Sequence, residues 1–278
     1  MDWFYAILLG IIEGVTEFLP ISSTGHLLVA SAIFEFPTPA LGTPNPLAFR
    51  NAFSIFIQLG AVIAVIAYYG RDLLGQVGRI RSDRDTQRLW LAVVIAFIPA
   101  AAIGFLFRDE IQAVLFKPIV VGLALLVGGI VFLLVERKPR NAVISTVEDT
   151  TLRHAISIGL FQVTALIPGV SRSGASIVGG LLTGMSRKAA TAFSFYLAIP
   201  TLGLATIYDL LQALGDGIIR SADLPMFAVG AAVSFVVAWL SIAWLLRFVS
   251  SNTFRPFGYY RIIAGAVIVL LTLGNVIK

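Results

Sequence analysis

The sequence predicts an all-α polytopic membrane protein, with six transmembrane helices plus two re-entrant helix-turn-helix hairpins arranged as an inverted repeat. Composition is the first reason: 58% of the 278 residues are hydrophobic and only 13% are charged, with a mean hydropathy of +0.92. Several apolar runs approach the ~20 residues a helix needs to cross roughly 30 Å of hydrocarbon, and none shows the punctuated alternation of a barrel strand. The second reason is a polar break at the middle of two hydrophobic stretches. The third is the similarity of the two halves.

The elements follow in order. A first stretch, residues 3–36, is broken at 20–25; spans then run at about 49–69, 89–107 and 119–135. A second broken stretch, 154–190 with its break at 168–174, precedes spans at about 193–214, 227–246 and 262–276. Basic residues fall between the runs. Arg71, Arg79, Arg81, Arg84 and Arg88 form one cluster, Arg137, Lys138, Arg140 and Arg153 a second, and Arg247, Arg255 and Arg261 a third. The positive-inside rule places all three in cytoplasmic loops and leaves segments 108–117 and 215–225 outside. The first broken stretch therefore starts and finishes outside, and the second starts and finishes inside. Irregular backbone at membrane depth is tolerated only where protein buries it or a wet cavity receives it.

The halves match residue by residue. Gly10-Ile-Ile-Glu13 pairs with Gly159-Leu-Phe-Gln162, Ser22-Ser-Thr-Gly25 with Ser171-Arg-Ser-Gly174, and Ala52-Phe-Ser-Ile-Phe with Ala192-Phe-Ser-Phe-Tyr. This predicts a single integral membrane domain over 1–278, with repeat 1 at about 1–140 and repeat 2 at about 150–278. An odd number of crossings separates the units, so they are inverted and their broken hairpins meet near the midplane. The Pro/Gly-punctuated segment 36–46 reads as a surface connection. The net charge of +5 sits in short loops, where it sets orientation, so the reading excludes a nucleic-acid partner. There is no cysteine, hence no disulfide or thiol chemistry. The N-terminus lacks a basic n-region, and no removable signal peptide is expected. The glycine-rich run 121–129 packs either within a protomer or between two copies of a homodimer.

The chemistry concentrates at the breaks. Glu13 and Glu17 are four apart, share a helix face and suit a divalent cation, Mg²⁺ or Ca²⁺, whose shell phosphate oxygens commonly complete. Two carboxylates in one membrane segment cost several kcal/mol, roughly 2.5 to 3.5 each on insertion scales, which favours a functional role over simple packing. Pro20 is expected to stop the first helix, and Ser22, Ser23 or Thr24 to cap the next, which begins near His26. A helix N-terminus with hydroxyls binds phosphate through its free N–H groups and positive dipole end. The second break repeats this capping chemistry with Ser171, Ser173, Gly174 and Ser176, and adds Arg172, whose fork suits bidentate phosphate contact. Ser23 is a candidate nucleophile with Glu17 or His26 as its base, and His26 is an alternative nucleophile. Arg172 and the break N–H groups would hold the phosphoryl oxygens. His154, at a predicted boundary, reads as interfacial.

The run Glu13-Gly-Val-Thr-Glu-Phe-Leu-Pro-Ile-Ser-Ser-Thr-Gly-His26, with Pro168-Gly-Val-Ser-Arg-Ser-Gly-Ala-Ser176, closely resembles the two signature motifs of the bacterial undecaprenyl pyrophosphate phosphatase family of the bacitracin-resistance type. The resemblance covers essentially the whole chain, including Ile57-Gln-Leu-Gly-Ala61 and Phe193-Ser-Phe195. The family often has threonine where this chain has Ser176, which keeps the hydroxyl. The resemblance implies a multi-pass enzyme of the bacterial inner membrane that hydrolyses undecaprenyl pyrophosphate to undecaprenyl phosphate and inorganic phosphate. That reaction recycles the lipid carrier of cell-wall synthesis. It also implies dependence on a divalent cation, usually Mg²⁺ or Ca²⁺, and an active site open to the periplasmic side. The family's functional residues fall here at Glu13, Glu17, Ser23, His26 and Arg172, with Ser171, Ser173 and Ser176 around the phosphate.

From architecture alone the main rival is a transporter, since inverted repeats with broken helices are its usual layout. The clustering of nucleophile, base and arginine separates the two, because a carrier has no need of an attacking hydroxyl. A scaffold has no use for charges at hairpin tips.

Overall fold

The computed structural model describes residues 1–137 and 142–277; Lys138 and Arg140, assigned above to a basic loop, lie outside the described residues. The described chain is helical, with one isolated parallel bridge, Ile144 to Met185. Among the described residues six helices are long and apolar enough to cross a membrane: α3 (Pro46–Tyr68), α5 (Arg84–Leu106), α7 (Pro118–Val135), α10 (Arg187–Gly215), α11 (Leu224–Ser251) and α12 (Arg255–Leu273). The four helices flanking the breaks are shorter: α1 (Asp2–Thr16), α2 (Ser23–Ile33), α8 (Leu152–Val163) and α9 (Arg172–Leu182).

The long helices coincide with the predicted spans but mostly start earlier, because charge at a helix start is invisible to an apolar-run criterion. Segment 71–88, expected as a loop, is largely helical, containing α4 (Gly70–Arg79) and the first turn of α5, and 108–115 forms α6 (Arg108–Leu115). Arg261 is the main correction. It is not a cytoplasmic loop residue but lies two turns inside α12, fully buried.

Small residues let the helices approach closely. A Cβ on Gly14 would sit 2.7 Å from the Ser234 carbonyl oxygen, so α1 and α11 touch backbone to backbone. The glycines of α7 are used the same way within the chain. A Cβ on Gly129 would lie 2.6 Å from the Gly258 oxygen, and one on Gly265 of α12 would lie 2.6 Å from the Gly122 oxygen. This places the glycine seam of the 121–129 run between α7 and α12 of one protomer.

Two groups of contacts mark the ends of the molecule. At one end the Asp2 carboxylate accepts the Thr38 N–H at 2.9 Å and its hydroxyl at 2.8 Å, tying the start of α1 to the chain after α2. Phe36, Phe49, Phe53 and Phe227 pack beside them with edge-to-face geometry across Phe227. Arg108 at the start of α6 pairs with Asp209 of α10 at 2.6 Å. At the other end Glu136 receives Arg187 Nε and Nη2 at 2.8 and 2.6 Å and the Phe254 N–H at 3.0 Å, joining the ends of α7, α10 and α12. Burial pushes the Glu136 carboxyl upward, but the Arg187 and Phe254 hydrogen bonds outweigh it and hold the group below its ordinary range. Residues 143–144 and 184–186 pair here too, with Ser186 N–H donating to the Ile144 carbonyl at 2.8 Å.

Candidate active site

The first break begins where α1 ends. Glu17 keeps helical angles, φ −66° and ψ −45°, and its N–H donates to the Glu13 carbonyl at 2.9 Å, so the two carboxylates leave the same face. The chain then turns, and Ser22 adopts φ 71° and ψ 99°, a conformation that strains an L-residue and that over-determined functional turns preserve. This turn makes Ser23, rather than His26, the first residue of α2. Ser23 Oγ consequently donates to Glu17 Oε2 at 2.6 Å.

The second break has the same backbone at the matching serine. Ser171 takes φ 74° and ψ 118°, immediately before α9. Its hydroxyl accepts the Gly174 N–H at 3.1 Å, an N-cap worth about 1 kcal/mol. Ser22 makes no such bond. The leading N–H groups of α2 therefore have no side-chain cap and are free to meet an anion.

Arg172 carries the second break to the first. Its Nη2 reaches Glu17 Oε1 at 3.4 Å, its Nη1 donates to the Ser194 carbonyl at 2.8 Å, and its guanidinium lies 5.7 Å from the centre of the Phe18 ring. Both side chains of the Arg172–Glu17 pair are nearly sealed from solvent, and Arg172 Nε has no hydrogen-bond partner. Such an orphan donor is expensive in a protein interior, and this one is a donor that a ligand could meet.

Arg261 holds the two breaks together. Its Nη1 donates to the Pro20 carbonyl at 3.0 Å, while Nη2 donates to the Gly169 and Val170 carbonyls at 3.0 and 2.9 Å. These carbonyls belong to turns, so no helix would satisfy them, and one buried guanidinium does so for both. Phe132 lies under it at 5.9 Å.

Glu17, Ser22, Ser23, Thr24, Ser171 and Arg172 line one small cavity of about 40 Å³. It adjoins a cleft of about 710 Å³ that shares Ser23 and Thr24, contains Glu13 at its wall, and extends toward Arg50 and Asp216. Ser173, Gly174 and Ser176 are not brought into the cavity. Ser173 Oγ donates to the Leu19 carbonyl at 3.2 Å, the Gly174 N–H is taken by Ser171, and Ser176 Oγ lies 2.8 Å from Ser194 Oγ. They brace the cavity from behind.

His26 is also outside the Ser23–Glu17 pair. Its Nδ1 lies 2.7 Å from the Ser22 carbonyl and its Nε2 2.6 Å from Tyr260 Oη, with the two rings stacked at 5.6 Å. A carbonyl only accepts, so Nδ1 carries a proton, and the Tyr260 hydroxyl, which can donate or accept, meets Nε2. Tyr260 was not named from sequence, Arg261 was read as a loop cation, and Ser194 and Phe18 lay inside quoted motifs without being given a site role. A further signal for the first two was an arginine next to two tyrosines at the head of an apolar run.

For a cation the donor set is lean. Glu13 Oε2 is buried without a partner, whereas both Glu17 oxygens are engaged by Ser23 and Arg172. Among the described residues no three His, Cys, Asp or Glu side chains cluster as a ligand set. The arrangement fits a hard cation held by Glu13 and completed by phosphate oxygens and water, and does not fit an all-protein cage.

Fold and site together define a polytopic helical membrane protein in which two broken helix pairs bring a carboxylate, hydroxyls and a guanidinium into one buried cluster. The family model described as bacitracin resistance protein BacA matches residues 6–267, and the chain belongs to this family. It is 44% identical over 279 residues to a protein of Deinococcus radiodurans named undecaprenyl-diphosphatase, covering 100% of this chain and 98% of the relative. A protein of the same name from Nitrosospira multiformis is 47% identical over 275 residues, covering 98% and 96%. One from Chromobacterium violaceum, named undecaprenyl-diphosphatase 1, is 45% identical over 265 residues, covering 95% and 94%.

Proposed function

We propose that the protein is an undecaprenyl-diphosphatase of the bacterial plasma membrane, hydrolysing undecaprenyl pyrophosphate to undecaprenyl phosphate and inorganic phosphate. The observation that carries this is the hydrogen bond of Ser23 Oγ to Glu17 Oε2 at 2.6 Å, with Arg172 of the other half on the opposite Glu17 oxygen. A hydroxyl, a carboxylate within its reach and a guanidinium line one cavity, which supports the roles of nucleophile, base and phosphoryl-binding cation.

In this reading Ser23 Oγ attacks the terminal phosphorus and gives its proton to Glu17. A new Oγ–P bond forms as the bridging P–O bond breaks, and undecaprenyl phosphate leaves with the bridging oxygen. Water then cleaves the Oγ–P bond, releasing inorganic phosphate and returning the proton to Ser23. Arg172 turns its free Nε and its weakly held Nη2 to the phosphoryl oxygens, and the uncapped N–H groups of α2 supply further donors. The same movement releases Glu17 Oε1 from its cationic partner as the carboxylate takes up the proton. His26 holds the Ser22 turn through its carbonyl. A bound Mg²⁺ or Ca²⁺ at Glu13 would neutralise diphosphate charge.

The same reading takes the broken pairs as re-entrant hairpins in an inverted repeat with repeat 1 at about 1–140 and repeat 2 at about 150–278. The matching serine backbones at 22 and 171 support it. So does the exchange of partners: α1 packs on α11 and α8 on α5, while α7 packs on its counterpart α12 and α3 on α10. The reading takes the end of Glu136 as cytoplasmic and the large cleft as open to the periplasm, and the basic segments 71–88 and 247–255 support it through the positive-inside rule. A polyprenyl tail would lie among the membrane helices, where apolar side chains such as Leu47, Ile55 and Phe116 flank the cleft.

Phosphate release from undecaprenyl pyrophosphate by detergent-solubilised protein, with and without EDTA, tests the activity. Metal-dependent release is expected. A folded protein that releases none with any divalent cation contradicts it and leaves a lipid carrier as the better account.

A further inference from the structure

The large cleft holds a cation that the reaction above does not use. Arg50 stands on the first turns of α3, half-buried in the cleft wall. Among the described residues its guanidinium has neither a hydrogen-bond partner nor an ion-pair partner. The other arginines near this end are committed: Arg108 to Asp209 and Gln212, and Arg220 to Asp223. A half-buried guanidinium retains a large desolvation cost unless something meets it, and its fork matches phosphate oxygens.

Its place in the helix gives it a direction. Arg50, Ser54 and Gln58 follow one another at intervals of four and all three line the cleft, so they form one polar stripe along α3. At 1.5 Å per residue the stripe is about 12 Å long. The same cleft reaches Glu13 and Ser23. Gln58 is fixed by the Thr206 hydroxyl at 3.1 Å, and the Ser54 hydroxyl donates to the Arg50 carbonyl at 3.0 Å, which leaves Arg50 as the uncommitted cation of the stripe.

We infer that Arg50 is a phosphate-binding residue of the outer cleft, meeting a phosphate group at a point removed from the site of bond cleavage. The phosphate has two sources, the headgroup of the incoming lipid and the inorganic phosphate that departs. The inference rests on the active-site reading above, since it assumes that Ser23 marks the inner end of the path.

The test compares Arg50→Ala, Arg50→Gln and Arg50→Lys with wild type in detergent, reading kcat, KM for undecaprenyl pyrophosphate and the inhibition constant of inorganic phosphate. Loss of one charge-assisted contact predicts a change of about tenfold. A KM raised about tenfold with kcat within about twofold, partly restored by lysine, assigns Arg50 to the lipid headgroup. A weaker phosphate inhibition constant with unchanged KM assigns it to the departing phosphate. Both constants unchanged, or a fall confined to kcat, overturns the inference. The glutamine variant keeps most of the side-chain length and carries the test if the alanine variant does not give a folded, monodisperse protein. Ser23→Ala in the same assay separates the two claims. Its full activity refutes the active-site reading, whereas an inert Ser23→Ala beside unaltered Arg50 variants refutes only the role of Arg50.

Discussion

Arg172 Nη2 lies 3.4 Å from Glu17 Oε1, joining residues 155 positions apart across the two broken helix pairs. Neither half holds a complete centre, because the first supplies carboxylate and hydroxyl and the second supplies the cation. Glu17 is also the acceptor of the Ser23 hydroxyl, so one carboxylate couples the proposed nucleophile to the group that would receive the phosphate.

Arg172→Lys is expected to fail as a rescue. Arginine spans the Ser194 carbonyl and Glu17 with two nitrogens while a third stays free, and a single ammonium cannot reproduce that fork. Steady-state phosphate release should show kcat reduced by about 10²-fold or more for both Lys and Ala. Lysine activity within a few-fold of wild type would remove the bidentate role.

Glu17→Gln keeps an acceptor for Ser23 but removes the proposed base. The expected loss is about 10² to 10⁴ in kcat with a smaller effect on KM. An unchanged kcat would transfer the base role to another group, with His26 the next candidate.

Glu13→Gln should separate stability from activity. Its Oε2 is buried and unpartnered, so neutralising it removes a desolvation cost and should raise Tm in metal-free detergent. The metal concentration for half-maximal activity should rise at the same time. A variant that loses stability and keeps wild-type metal dependence would argue for a structural carboxylate.

Glu136 gives a pH signature at the other end of the molecule. Its carboxyl is held below the ordinary value of 4.5, so its contribution to stability is complete above that value and disappears as pH falls through the folded-state value. Thermal unfolding of wild type should weaken below about pH 4.5, with a shallower acid dependence in Glu136→Gln. Equal slopes in the two proteins would show that the cluster with Arg187 contributes nothing to acid sensitivity.

The six long helices were legible because hydrophobic length is a local signal, whereas the glycine-rich run 121–129 left its packing partner open. The breaks at Pro20 and Pro168 announced themselves by composition, and the four-residue spacing of Glu13 and Glu17 is enough to put both carboxylates on one helix face. Arg261 was misread for a physical reason. Its charge suggests a loop, and only the spatial convergence of the Pro20, Gly169 and Val170 carbonyls makes burial tolerable for a guanidinium. Ser173, Gly174 and Ser176 share their motif with Arg172, yet helix geometry turns them away from the cavity. Hydroxyl content gave no warning of that, nor of Tyr260 as the partner of His26.

The central claim is that Ser23 is the nucleophile of a site shared by both halves, and trapping the phosphoryl group tests it most directly. Protein mixed with substrate labelled on the terminal phosphate, quenched within milliseconds and digested, should carry acid-stable label on Ser23 and none in Ser23→Ala. Acid-labile label on His26, or undiminished turnover by Ser23→Ala, would contradict the account.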